Sequence, residues 1–404
     1  MEITIFKRNE INEFHFKNET LFEYIFYNDI SALKDEKYGN FKDLDETKKK
    51  LDLLDKNSEK FRRAAAKYLH EYELVKLLCK KQVISRAYFK LYEIIYFEPI
   101  ILNEKLTCFF ICEAPGGFIE CITDIRRRKN LKTEYISVSK LDHLIKYDNY
   151  LEENNLFYGD ISENINEKVN KILSRFPNGV DLVTADGGFD VKIFEAQEII
   201  SSKLLLCEIY LALKTQKIGG MFIIKFFDLF SHNTNIYYII LCTFYNYVKI
   251  IKPQTSRNCN SERYLVCYGY KGNNFLLNDI YTIINNFKIT NSVYTIIFPN
   301  FDIFKINSLF NKKIATFNNL ILYTQVKTIN ESIKMVNGKD LYFQNLLLNI
   351  FLEKKINKYK LDNIIFFKHI LNSRIKKCIN FLRMYNININ NVFYNYLCTY
   401  IKFT

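Results

Sequence analysis

Four charged side chains stand where an enzyme would need them. Asp186 follows the apolar run Val180–Ala185, Lys225 follows Met221–Ile224, and Glu262 precedes Arg263–Tyr268. Lys90 sits in SRAYFKLYE, among Tyr88, Phe89, Leu91 and Tyr92. Any one of them has a bland explanation, because a charge at a strand end is usually where the chain meets water. Two lysines and two carboxylates aimed at one edge could instead do acid–base chemistry. A lysine accepts a proton only if its pKa falls, and partial burial beside a second cation drives it that way. Lys225, at the end of a buried strand, is the candidate base, and Lys90 is the cationic neighbour. Asp186 and Glu262 would orient the lysines and offset their charge.

The elements that must hold these residues are organised around Cys112–Phe118, CEAPGGF, which ends the apolar run Leu106–Ile111. An apolar run that stops at Pro115, Gly116 and Gly117 and resumes as Phe118–Ile122 reads as strand, tight turn, helix. Glycine there tolerates positive φ and lets a ligand lie against the backbone. The turn is not GxGxxG, so the pyrophosphate cradle of dinucleotide enzymes is absent. A nucleoside-like cofactor such as S-adenosylmethionine suits it, and a nicotinamide-dependent dehydrogenase is disfavoured. Ten of the twelve glycines lie between Gly116 and Gly272, the punctuation of alternating strands and helices. Strands are expected at Glu134–Val138, Leu156–Tyr158, Val180–Ala185, Met221–Ile224 and from Val248, with helices at Glu195–Leu213, stopped by Gly219-Gly220, and Ile236–Tyr247. The expected fold class is α/β, a mostly parallel, doubly wound Rossmann-like sheet with helix-rich flanks. The expected domains are an N-terminal helix-rich extension at 1–80, the α/β domain at 81–272 and a mainly helical C-terminal domain at 273–404, in which Ser292–Phe298 and Leu320–Tyr323 could be strands.

A net charge of +13 over 404 residues favours a polyanionic partner, although excess lysine also serves solubility. The ten cysteines contain no CxxC pair and the five histidines are dispersed, so no metal site is expected. The N-terminus lacks a signal-peptide core, and the apolar stretch Ile236–Ile251 is interrupted and too short to span a bilayer. A soluble, intracellular protein with no membrane partner is the expectation.

SRAYFKL, CEAPGGF, DLVTADGG, GGMFIIK and KPQTSRNCNSERYLV, in that order over residues 85–268, resemble the successive motifs of the FtsJ-type RNA ribose 2′-O-methyltransferases. ADGG together with CEAPGGF is closer to the viral and eukaryotic mRNA-cap branch than to the ribosomal RNA branch. The resemblance implies that Lys90, Asp186, Lys225 and Glu262 are a catalytic tetrad and that the cofactor is S-adenosylmethionine. Gly116, Gly117 and Phe118 would line its methionine and ribose side, with Glu113, Pro115, Ser139 and Asp186 around it, and Asp160 would meet the adenine. The family's acid after the second strand is replaced here by Ser137-Val138-Ser139-Lys140, with Asp142 further on. The substrate implied is RNA, capped mRNA above all, with a further protein partner in a capping or transcription complex. The location implied is cytoplasmic, or a virion or virus factory if the source is viral. A ribose 2′-hydroxyl is a very weak acid that must attack a sulfonium methyl in line, so position and proton uptake are what the tetrad must supply. Arg62, Arg63, Arg86 and Arg257, with Arg126, Arg127 and Arg128, are candidates for a phosphate track. Structured RNA as substrate, and a catalytically silent RNA-binding scaffold, are the alternatives.

Overall fold

The computed structural model describes residues 3–7, 34–52, 59–140, 147–148, 151–188, 197–272, 276–286, 308–337 and 368–391. Their centre is β2 (Leu106–Ile111), whose apolar residues alternate between two cores: Phe109 and Ile111 face one side of the sheet, Cys108 and Phe110 the other. A strand buried on both faces needs an unbroken apolar run, and LTCFFI is one. Beside β2 run β3 (Thr133–Ser139), β4 (Leu156–Tyr158), β5 (Val180–Ala185) and β6 (Gln216–Phe226), all parallel. Next to β6 lie β8 (Arg263–Tyr270), β7 (Tyr245–Ile251) and β1 (Ile3–Lys7), each antiparallel to its neighbour. The order is β1-β7-β8-β6-β5-β2-β3-β4, so strand order reverses between β2 and β5. Ligands of open α/β sheets bind in the crevice beyond the carboxyl ends of the strands at such a reversal.

Helices cover both faces. On one, α6 (Ile165–Arg175), α8 (Ser202–Thr215), α9 (His232–Phe244), α10 (Leu277–Asn286) and the start of α11 (Ser308–Asn337) join one hydrophobic core. On the other, α3 (Val75–Leu78), α4 (Ala87–Ile95), α5 (Gly117–Arg127) and α12 (Lys368–Met384) build a second. The helices α1 (Lys42–Asp52) and α2 (Glu59–Leu69) pack on α11, while α7 (Gln197–Ile200) precedes α8. No helix among the described residues is long and apolar enough to cross a membrane.

Some expectations need correction. The glycines Gly219 and Gly220 do not stop a helix: α8 ends at Thr215 and β6 begins at once, with a register irregularity against β5. Leu320–Tyr323 is helical, inside α11: Ile321 and Leu322 pack into the cores while Leu320 and Tyr323 face outward, a helical rather than a strand alternation. The helix expected at Ile236–Tyr247 runs His232–Phe244, since Tyr245 already pairs with Tyr270 in the sheet. The N-terminal region also contributes β1, which only its long-range pairing with β7 makes a strand. Ser292–Phe298 and Asp142 lie outside the described residues.

Candidate active site

Gly116, at φ +113°, turns the chain from β2 into α5. A Cβ there would be strained and would lie 2.3 Å from Leu151 Cδ1, and one on Gly117 would lie 2.2 Å from Ser85 Oγ. The turn is held from below: Ala114 N–H donates to Ser139 Oγ at 2.9 Å, and Phe118 N–H donates to Glu113 Oε1. Ser139 is thereby a prop for the turn.

Across the strand reversal, Asp186 accepts from the Tyr264 hydroxyl at 2.9 Å. Lys225 donates to the Asp186 carbonyl at 2.7 Å and lies 3.3 Å from its carboxylate. Lys90 reaches over from α4 to Glu262 at 2.7 Å. The structure therefore draws all four members of the sequence-derived tetrad to one edge, as two ion pairs on adjacent elements. Lys225 and Glu262 are each only 9% exposed, so both pairs are shielded from bulk water.

The electrostatics reverse one expectation. Burial lowers the Lys225 pKa, but the carboxylates of Asp186, Glu262 and Glu208 outweigh it and leave the amine more basic than a free lysine. Three acids around one amine stabilise its charge more than burial penalises it. Burial also opposes ionisation of Glu262, yet Lys90, Lys225 and Lys252 hold its carboxyl at about 2. Lys252 is pushed down to about 7 by burial, and donates to the carbonyls of Asn260 and Glu262 at 2.6 Å each.

Sequence reading overlooks several of these neighbours. Glu208, a lone acid in the apolar run of α8, accepts from Gly187 N–H at 3.0 Å, and burial raises its carboxyl to about 8. Its position inside SKLLLCEIYLALKT was the available signal. A Cβ on Gly187 would lie 2.1 Å from Glu208 Oε1, which explains the first glycine of ADGG. Glu93, raised to about 7 by burial, accepts from Gln254 N–H at 2.7 Å and so anchors the KPQTSR loop to α4.

A cavity of about 410 Å³ opens on Lys225 and Glu262, lined further by Gly188 and Phe227, and by Arg62 and Ile329 from α2 and α11. Arg63 is exposed on α2. Arg86 and Arg257 both pair with Glu73, so one carboxylate ties the start of α4 to the KPQTSR loop. Arg126 is corrected outright: it is 0% exposed and donates to the carbonyls of Ile101, Asn103, Glu104 and Lys132. No phosphate can reach it. Arg127 and Arg128 pair with Asp124 at the far end of α5.

The residues present fit S-adenosylmethionine. Glu113 is 3% exposed and its Oε2 has no hydrogen-bond partner, while burial and the charge of Asp186 push its carboxyl well above the usual range. A buried, unsatisfied carboxyl beside a second acid is an environment that a cationic ligand relieves. Asp160, at the end of β4, accepts from Lys140 at 2.8 Å and from Ser162 N–H at 2.9 Å; against burial, these bonds hold its carboxyl at about 2. Pro115 is exposed at the turn, and Phe118 is buried against Tyr264, with ring centroids 6.1 Å apart.

The FtsJ-like methyltransferase family matches residues 83–270, a stretch that contains the whole tetrad. These residues are an FtsJ-like methyltransferase domain. Over 195 residues the chain is 36% identical to a cap-specific mRNA (nucleoside-2′-O-)-methyltransferase 1 of Bos taurus, covering 44% of this chain and 23% of that protein. It is 30% identical over 300 residues to a cap-specific mRNA (nucleoside-2′-O-)-methyltransferase 2 of Mus musculus, covering 68% of this chain and 38% of the other. A solved structure described as a ribosomal RNA methyltransferase of Plasmodium falciparum is 25% identical, with a TM-score of 0.37, and covers 47% of this chain and 99% of that one. The FtsJ-like domain thus spans well under half the length of the curated relatives it matches. Those relatives are animal proteins, and the viral half of the earlier expectation has no support among them.

Proposed function

We propose that this protein transfers a methyl group from S-adenosylmethionine to a ribose 2′-hydroxyl of RNA, and that its substrate is the first transcribed nucleotides of capped mRNA. The observation that carries the reading is the pairing of Lys90 with Glu262 and of Lys225 with Asp186 at one edge of the sheet, where Lys225 and Glu262 line one cavity. The curated relatives' cap specificity and the chain's net charge of +13 support RNA with a cap as the partner.

When bound, the cofactor supplies a methyl group made electrophilic by its sulfonium charge. Gly116, Gly117, Phe118 and Glu113 would hold it at the turn, with Asp160 at its adenine end. Lys90 presents its ammonium group to the hydroxyl, orienting its oxygen and stabilising negative charge as the proton is lost. Lys225, having first given its own proton to solvent, takes up the hydroxyl proton at Nζ, and Asp186 keeps the amine aimed through both its carbonyl and its carboxylate. Glu262 holds Lys90 in place from the opposite side.

The test is methyl transfer assayed on short capped and uncapped RNAs of the same sequence. Transfer to the capped oligomer at a ribose 2′-oxygen is the expected result. Modification of uncapped structured RNA with capped oligomers ignored would overturn the cap assignment, and binding of RNA with no transfer would overturn the enzyme assignment.

A further inference from the structure

We propose that α1 and α11, which lie outside the matched residues 83–270, are positioning elements of the active site: through Lys48 and Gln325 they fix Ser261, and with it the direction of the Glu262 carboxylate. The proposal rests on the methyl-transfer reading of that site.

Ser261 immediately precedes Glu262 and its hydroxyl is fully used. It accepts from Lys48 Nζ at 3.0 Å and from Gln325 Nε2 at 3.1 Å, and it donates to Asp228 Oδ2 at 2.8 Å. A hydroxyl offers one donor and two acceptor sites, so nothing is left over for water. Arg263, on the other side of Glu262, donates to Asp228 at 3.0 Å and to Asn318 of α11 at 2.6 Å. Asn318 in turn donates to the carbonyls of Tyr38 and Leu229. Both neighbours of Glu262 are therefore gripped by side chains of the flanks.

Glu262 itself is weakly held. Its Oε2 accepts from Lys90, and its Oε1 has no hydrogen-bond partner. With one side-chain contact, the direction of the carboxylate follows from the backbone at 261–263. The grip is also electrostatic. Asp228 is buried between Lys48, at 2.6 Å, and Arg263, and despite burial these cations hold its carboxyl well below the usual range. A buried network in which Lys48, Asp228, Ser261, Arg263 and Asn318 hold one another by hydrogen bonds is rigid, and rigidity at one residue's remove is what a positioned acid requires. The same helices wall the cavity over Lys225 and Glu262, where Leu51 of α1 and Ser332 of α11 line it.

The experiment uses the full chain with Gln325→Leu, Lys48→Met and Lys48→Arg. Gln325→Leu removes two neutral hydrogen bonds at nearly constant size, to Ser261 Oγ and to the Cys259 carbonyl, so it tests the hold on the 259–261 segment without leaving a buried charge. Its kcat on short capped RNA is expected to fall by about tenfold or more, with KM for RNA and the Kd for S-adenosylhomocysteine within about twofold of wild type. Lys48→Met should lose at least as much, and Lys48→Arg should recover most of it. Hydrogen exchange at residues 259–264 should quicken in Gln325→Leu, a readout independent of activity. Wild-type kcat in Gln325→Leu overturns the proposal even if its Tm falls. If the wild type methylates no RNA, the functional reading fails on its own; unchanged exchange at 259–264 in both Gln325→Leu and Lys48→Met would then separately overturn the hold of α1 and α11 on Glu262.

Discussion

Lys225 is more basic in this site than in water, and that decides when it can act. Among Asp186, Glu262 and Glu208 its ammonium form is favoured, so the free protein carries a proton where the reaction needs a lone pair. A bound cationic cofactor works in the opposite direction. The pH profile of kcat/KM, which reports the free protein, should rise with pH to above the ordinary lysine pKa; that of kcat should level off at lower pH. A coincident pair of profiles would contradict the assignment. Lys225→Met should cost at least about a hundredfold in kcat while leaving S-adenosylhomocysteine binding, measured by calorimetry, near the wild-type value. The four tetrad residues were legible because each is a charge placed against an apolar run. Their pKa values were not, because Glu208 and Glu113 come within electrostatic reach of Asp186 and Lys225 only when the chain folds.

The helix α5 shows how an element can hide the role of its own residues. In the sequence, Arg126, Arg127 and Arg128 are equivalent members of one basic run. Rotation of α5 onto the sheet sends only Arg126 inward, where its guanidinium satisfies four carbonyls and accepts no ligand. Removing it deprives those carbonyls of their donor at once, so Arg126→Met should destabilise the fold by about 2 kcal/mol or more, read from chemical denaturation. RNA affinity measured on the folded fraction should be unchanged, whereas a phosphate contact would have lowered it. The turn before α5 was readable for the opposite reason. A Pro-Gly-Gly sequence after an apolar run admits few backbone solutions, and the structure uses positive φ at Gly116.

For the molecule as a whole, buried titratable groups set the response to pH. Glu93 and Glu208 titrate at about 7 and about 8 when folded, against 4.5 for a free glutamate. Between those limits the native state binds more protons than the unfolded chain, so their contribution to stability falls as pH rises. Lys252, at about 7 when folded against 10.5, acts the other way, and only above about 7, where the unfolded chain is the more protonated state. Tm should therefore drop between about pH 5 and about pH 7, and Glu208→Gln should make that drop shallower; an unchanged slope in the variant would refute the role given to this carboxyl. The parallel half of the sheet was readable from its buried runs and glycine turns. The tie between α1, α11 and β8 was not, because Lys48, Asn318 and Gln325 look like ordinary polar helix residues until the chain closes. Three members of the tetrad stand at the ends of β5, β6 and β8, neighbours whose ladder registers fix their spacing, while Lys90 comes from a helix. The helix α4 is itself buried in the second core and tied to the KPQTSR loop, so any adjustment of the constellation during a reaction cycle falls to the long, swivelling stems of the two lysines, hinged on backbone that stays put.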